Sequence, residues 1–347
     1  MTTATLTINL DAVAQNWRTL DAKSAQGVET GAVVKADGYG LDAGTVAQKL
    51  FATGVRTFFV AVAEEGAIIR KAIGNIGDIY VFSGMMLTDA ETIKTYNLIP
   101  LLNSPRQLVK FRMTLPHQPY GVQIDTGMNR LGMEPHDFMS VRDKASTAKL
   151  VISHLACADA PNHPQNAAQL QAFHQMTDAM NVRRSLSATG GILLGPEYHF
   201  DLSRPGIGLY GGAPFDDAKP VVTVSIPVIQ TRDVAVGETV GYSATWTAKR
   251  PSKVATLAAG YADGLIRAMG NGALNLWSNG TPCPIIGRVS MDLITVDITD
   301  LTSIPVEMEI LNAHQTVDKL ADQAGTIGYE ILTSLGARYN RVYVGAP

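Results

Sequence analysis

Thr57-Phe-Phe-Val-Ala-Val62, Ala63-Glu-Glu-Gly-Ala-Ile-Ile-Arg-Lys-Ala-Ile-Gly74 and Asp78-Ile-Tyr-Val-Phe-Ser-Gly84 make one pattern. A short run apolar on both faces is followed by a helical stretch and then by a second such run. Strands of this kind are covered on both sides, and a helix between two of them makes the pair parallel. Working outward, the same alternation fills most of the chain up to residue 204. Strands are expected at 31–36, 57–62, 78–84, 99–104, 120–125, 149–155, 184–189 and 199–204. Helical patterns fall at 42–54, 63–74, 105–115 and 163–181, the last with Pro164 in its first turn. About eight strands at this spacing predict an α/β fold of the (β/α)8 barrel type rather than an open doubly wound sheet. The connection between the last two, residues 190–195, is too short to show a helical pattern.

The barrel pattern is bracketed by different material. A strand at 4–10 opens the chain and leads into a helix begun by the cap-like Asp11. Beyond Pro220, strand-like runs at 221–229, 239–248, 254–259, 284–286 and 293–298 are separated by Gly, Pro and Asn, and no clear helix returns before 317–324. The expectation is a barrel over 9–221 and a mostly β domain over 222–347, joined by the opening strand 1–8, with the boundary in the Pro- and Gly-rich stretch 211–220.

Composition agrees with two globular domains and narrows the function. The 347 residues carry 28 Lys+Arg against 31 Asp+Glu, a net charge of −3, with 46% hydrophobic and 17% charged residues. That balance removes the usual electrostatic case for nucleic acid or an anionic membrane surface. No apolar run approaches the ~20 residues of a membrane helix, and residues 1–10 lack the basic and apolar segments of a secretory signal. Cys157 and Cys283 show no metal-site spacing and read as thiols in a reducing cytosol. The expectation is a cytoplasmic protein with no nucleic-acid, membrane or metal partner.

A barrel enzyme keeps its chemistry at the C-terminal ends of the strands. At those positions stand Lys35, the turn Asp125-Thr-Gly-Met-Asn-Arg130, His154, Thr189 and Arg204. An ammonium at the end of an apolar strand is costly unless paired or held neutral or as an imine. Lys35 is therefore either a Schiff-base lysine or a lysine reaching solvent or a carboxylate. Gly206-x-Gly208-x-x-Gly211 matches the dinucleotide pattern in letters only, because Ala213-Pro214-Phe215 cannot continue the helix that pattern must open. Gly206 and Gly208 form either a backbone nest for a phosphate or a tight turn toward the second domain.

Several further stretches now join these. Ala32-Val-Val-Lys-Ala-Asp-Gly-Tyr-Gly40, Asp125-Thr-Gly-Met-Asn-Arg-Leu-Gly132, Ser153-His-Leu-Ala156, Arg204-Pro-Gly-Ile207, Gly260-Tyr-Ala-Asp-Gly264, Gly287-Arg-Val-Ser-Met-Asp292 and Gly328-Tyr-Glu330 together closely resemble alanine racemases, in order and over nearly the whole chain. The resemblance implies a pyridoxal 5′-phosphate (PLP) barrel with a C-terminal β domain, interconverting L- and D-alanine as a homodimer and supplying D-alanine for peptidoglycan. It implies that Lys35 holds PLP and acts as one base, and that Tyr261, from the partner subunit, is the other. Tyr39, Tyr329, Thr189, Gly206 and Ile207 would hold the phosphate, and Arg130 would sit by the phenolic oxygen and the substrate. His154 would relay between Tyr261 and Arg204. Met291 and Asp292 would complete the substrate site in trans.

Arg204 would face the pyridine nitrogen. A permanently charged guanidinium leaves that nitrogen unprotonated and weakens the ring as an electron sink, which favours racemisation over decarboxylation. On their own residues, Tyr261 is equally a loop aromatic in water, His154 a hydrogen-bonded core histidine, Met291 a core residue and Arg130 a surface charge. The rival activities are a racemase of broader specificity, acting on serine or other amino acids, and a non-catalytic PLP-binding barrel. The chain departs from the family at Gln123, where many members carry a carbamylated lysine, and at Ala188, where relatives often have Asn. Gln123 supplies no charge, so an anion such as chloride is expected beside Arg130.

Overall fold

The computed structural model describes residues 3–346. The chain divides into two compact units, one holding Val13–Ala218 and the other the chain up to Ala12 together with Lys219–Ala346.

In the first unit, Glu29–Thr30 with Ala32–Val33, then Thr57–Val60, Asp78–Val81, Ile99–Leu102, Gly121–Gln123, Leu150–Ile152, Arg184–Ser185 and Leu202–Ser203 are the successive barrel strands. Neighbours from Ala32–Val33 to Arg184–Ser185 pair in parallel. The ring closes because Asp201 N donates to Arg184 O (3.0 Å), Arg204 N donates to Ser187 O (2.8 Å), and Leu202–Ser203 pairs in parallel with Glu29–Thr30. Every residue of Thr57–Val60 and Ile99–Leu102 is buried, as strands packed on both faces require. Helices start on side-chain caps where the sequence offers them. Asp42 Oδ1 accepts from Gly44 N and Thr45 N ahead of Ala43–Thr53, and Ser104 Oγ accepts from Gln107 N ahead of Pro105–Thr114.

Three expectations are corrected. The first strand does not run to residue 36 but ends at Val33, because the backbone from Ala36 onward takes a hand that no strand can contain. The seventh stops at Ser185, and a helix, Thr189–Leu194, connects it to the eighth. The first helix begins at Leu10, with Asn9 Oδ1 rather than Asp11 accepting from Ala12 N (3.0 Å).

The second unit is built on an eight-stranded sheet around the 13-residue strand Val222–Val234. One half of that strand lies between Thr5–Asn9 and Glu307–Leu311, and the other half pairs with Ser252–Leu257, which in turn pairs with Ile294–Asp297. Thr5–Asn9 also pairs with Asn340–Val344, so the opening strand is internal to the sheet. The expected strand 239–248 is instead two short strands, Thr239–Val240 and Trp246–Thr247, around the turn Tyr242–Ala244. Asn275–Ser278, Glu307–Leu311, Asn340–Val344 and the helix Gly328–Ser334 were not expected from the sequence. Among the described residues no helix is long and apolar enough to cross a membrane.

Candidate active site

Past Val34 the chain makes an unusual turn. Ala36, Asp37, Gly38 and Tyr39 all adopt left-handed helical backbone, with φ between 51° and 62°. For residues with a Cβ this costs roughly 1–2 kcal/mol each, and such strain persists only where the surroundings impose it. Asp37 Oδ1 accepts from Ala43 N (3.0 Å), and Gly38 N donates to Val34 O (3.0 Å). The turn places Lys35 at the barrel mouth and sends Tyr39 inward, where its ring stacks on Tyr210 at 4.4 Å. Tyr210 is pinned in turn by its hydroxyl, which donates to Val33 O (3.1 Å).

Tyr39 Oη closes against Gly206, where a Cβ would overlap the hydroxyl. Gly206 N and Gly208 N both point at Thr189 Oγ1, at 3.1 and 3.3 Å. Ile207 starts the single 3-10 turn Ile207–Tyr210. Two backbone donors, a threonine hydroxyl and a tyrosine hydroxyl thus surround a spot from which side chains are excluded. Both amides donate to Thr189 Oγ1 at the start of a tight 3-10 turn, a geometry open to an anion nest and to a structural turn alike.

The cations of the same rim are electrostatically linked. The Lys35 amine is held below its ordinary range by burial and then by Arg130, with Glu65 opposing. Nζ lies 5.9 Å from the centre of the Phe82 ring. Burial first, then Arg204, Arg130 and Lys35, drives His154 down to about 3, so its imidazole is neutral at physiological pH. Arg204 is buried and pairs with no carboxylate among the described residues. It donates to Ser185 Oγ, to Ser153 O (2.6 Å) and to Leu186 O (3.3 Å), and burial alone lowers it to about 9, still cationic at neutral pH. A neutral histidine among cations has a testable consequence. His154 binds its proton more weakly folded than unfolded, so its contribution to stability is full above about pH 6.5 and is lost as the pH falls toward 3. Denaturant midpoints at pH 7 and pH 5 are expected to differ more in the native chain than in His154→Gln; equal losses would contradict the burial argument.

One supporting residue carries no sequence signal. Gln169, fully buried in the helix Pro164–Thr177, donates to His154 O (2.9 Å) and Thr126 Oγ1 (3.2 Å) and accepts from Ala156 N (2.8 Å). It ties together the loops after the fifth and sixth strands. Gln123 donates to Leu131 O (3.2 Å), and its Oε1 is buried without a partner. Arg130 is exposed and makes no ion pair among the described residues.

In the second unit, Tyr261, Met291 and Asp292 come together. Tyr261 N donates to Ser290 O and Ala262 N to Met291 O, both at 3.0 Å. A Cβ at Gly260 would overlap both of those carbonyl oxygens, so the two loops approach only because residue 260 is glycine. Arg338, which sequence reasoning missed, grips both Asp263 oxygens and Asp292 Oδ1 at 2.8 Å. Tyr261 and Met291 are nonetheless 43% and 54% exposed, on loops whose backbones are hydrogen-bonded to each other. Tyr329 is half-exposed on the helix Gly328–Ser334.

Fold and rim together define a barrel enzyme with a lysine of suppressed basicity at its mouth, accompanied by a β unit with a half-exposed tyrosine on a backbone-pinned loop. The models of the alanine racemase N-terminal domain and C-terminal domain match residues 8–214 and 221–343. The alanine racemase of Dinoroseobacter shibae is 59% identical over 347 residues, covering 99% of each chain, and that of Rhizobium meliloti is 42% identical over 98% of this chain and 96% of its own. The crystal structure of alanine racemase from Bartonella henselae with covalently bound pyridoxal phosphate superposes with a TM-score of 0.93 at 36% identity, covering 99% of each chain. The biosynthetic alanine racemase from Pseudomonas aeruginosa gives 0.92 at 33%, over 99% of this chain and 100% of its own. The chain belongs to the alanine racemase family.

Proposed function

We propose that Lys35 and Tyr261 are the two opposed acid/base groups of this enzyme. The reaction is the interconversion of L- and D-alanine, and the cofactor is pyridoxal 5′-phosphate. When bound, the cofactor supplies an electron-withdrawing ring that acidifies the substrate α-proton. The donor set at the rim fits it. Tyr39, Thr189, Gly206, Ile207 and Tyr329 would hold its phosphate, Arg204 its ring nitrogen and Arg130 its phenolic oxygen. Lys35 Nζ is the covalent anchor, and a lowered pKa keeps more of it as the free amine that can bond to an aldehyde and take a proton. The observation that carries this reading is that amine, partly buried at the barrel mouth with its basicity lowered by burial and by Arg130, and sharing its rim with the neutral His154.

The second proton carrier must work from the opposite face, and Tyr261 Oη is assigned to it. Its exposure on clamped loops supports a role outside its own unit, in the site of a second subunit. His154, being neutral, accepts and donates hydrogen bonds there without competing charge. Met291 would offer its backbone N–H to the substrate carboxylate, with Asp292 completing the site beside it, and Arg130 takes a soluble anion such as chloride as its counter-charge. The same proposal places the enzyme in the cytoplasm, where D-alanine enters peptidoglycan precursors.

The activity is tested by following L-alanine, D-alanine and L-serine optically under identical conditions. Alanine is expected to racemise fastest; a higher rate on serine would overturn the substrate assignment. Thr189→Val tests the cradle. Removing one charge-assisted hydrogen bond of about 1.5 kcal/mol is expected to weaken cofactor binding about 10-fold, read by titrating cofactor into the resolved protein. Subunit contribution in trans is tested by mixing Lys35→Ala with Tyr261→Phe. Hybrid dimers regain one intact site if Tyr261 acts across the interface and stay inactive if it acts within its own chain.

A further inference from the structure

The strained turn Ala36–Tyr39 needs something to hold its first residue, and the structure supplies it from a neighbouring element. Glu65 sits in the first turn of the helix Ala63–Ile73, whose N-cap, Val62, offers no side-chain cap. Its carboxylate reaches back, as a third-position glutamate does in a capping box, but to two different loops. Oε2 accepts from Ala61 N at 2.7 Å, beyond the end of the second barrel strand. Oε1 accepts from Ala36 N, also at 2.7 Å, at the residue that follows Lys35 and begins the left-handed run. Both contacts are short for N–H to oxygen, as charge-assisted bonds are. Glu64, one residue earlier on the same turn, is exposed and makes no hydrogen bond among the described residues.

We infer that Glu65 is a positioning residue of the site, its carboxylate clipping the exits of the first two barrel strands together and so fixing the turn that presents Lys35 and Tyr39. The inference rests on the assignment of Lys35 and Tyr39 as cofactor-holding residues. It gives one carboxylate two effects. It immobilises the backbone between the anchoring lysine and the phosphate-facing tyrosine, and it is the negative charge that offsets Arg130 at the Lys35 amine, His154 being neutral. A glutamine keeps the size and one acceptor oxygen but turns an N–H donor toward one of the two amides and removes the charge. An aspartate keeps the charge but is one methylene too short to span both amides.

The test compares Glu65→Gln, Glu65→Asp and the adjacent control Glu64→Gln in the full chain. Two quantities are read. The first is the pH midpoint for reaction of Lys35 with acetic anhydride in cofactor-resolved protein, site by site by mass spectrometry. The second is the dissociation rate of pyridoxal phosphate from the loaded protein. Glu65→Gln is expected to lower the midpoint by about half a pH unit, since the lost anion had favoured the ammonium form, and to speed cofactor loss about 10-fold. Glu65→Asp is expected to keep the midpoint while still losing cofactor faster, and Glu64→Gln to change neither. The inference is overturned if Glu65→Gln matches Glu64→Gln in both measurements, or if Glu65→Asp retains cofactor as well as the native chain. A failure of the underlying assignment shows itself differently, as cofactor attached to a lysine other than Lys35 in every variant.

Discussion

Lys35→Arg is expected to reduce alanine racemisation by at least about 10⁴-fold. Arginine keeps a positive charge and similar length at the barrel mouth, so the cradle and the neighbouring cations keep their electrostatic surroundings. What it loses is an amine. A guanidinium stays protonated, cannot bond to an aldehyde carbon and cannot take a proton from substrate. Removal of a positioned base accounts for about 10²–10⁴ alone, and loss of the covalent anchor adds to that. Tyr39, Thr189 and the backbone of Gly206 and Gly208 are untouched, so pyridoxal phosphate is expected to bind still, but to be removed by dialysis and to leave no lysine adduct. Steady-state rates in both directions together with dialysis of the coloured protein check this. A variant retaining a tenth of native turnover would mean that another group is the base.

Tyr261→Phe is the second large effect, a loss of about 10²–10⁴-fold in racemisation with the cofactor retained. Only a hydroxyl is deleted. The loop is held by Tyr261 N to Ser290 O, by Ala262 N to Met291 O, and by Arg338 on Asp263 and Asp292, none of which uses the phenol. The fold should therefore be indifferent. The signature is asymmetry rather than mere slowness. In deuterium oxide the variant is expected to exchange the α-proton of one enantiomer, through Lys35, without inverting it. Equal loss of exchange from both enantiomers would place Tyr261 in binding rather than in proton transfer, and near-native inversion would remove it from the mechanism.

Much of this was legible beforehand, for identifiable reasons. The barrel strands announce themselves because runs such as Thr57–Val60 must be apolar on both faces. Their ends were less legible. The apolar run predicts a first strand three residues too long because Ala36 and Tyr39 have no local preference for left-handed backbone; Glu65 and Asp37 impose it through partners at residues 61 and 43. In the β unit, Glu307–Leu311 is rich in helix formers and becomes a strand only by pairing with Val222–Val234. Asn275–Ser278 does carry a local signal. Asn279-Gly280, both at positive φ, is the hairpin turn joining it to Thr281–Pro284.

The rim residues were readable because barrel chemistry collects at strand ends. Gln169, Arg338 and Glu65 were not, since one buried glutamine or one late arginine carries no pattern until the fold shows what it holds.

The most direct test of the whole account is chemical. The loaded protein is reduced with borohydride, digested and mapped by mass spectrometry. One pyridoxyl group per chain is expected, on the peptide containing Lys35 and on Nζ of that residue. A pyridoxyl group on any other lysine, or a Lys35 peptide recovered unmodified from fully loaded protein, would contradict it.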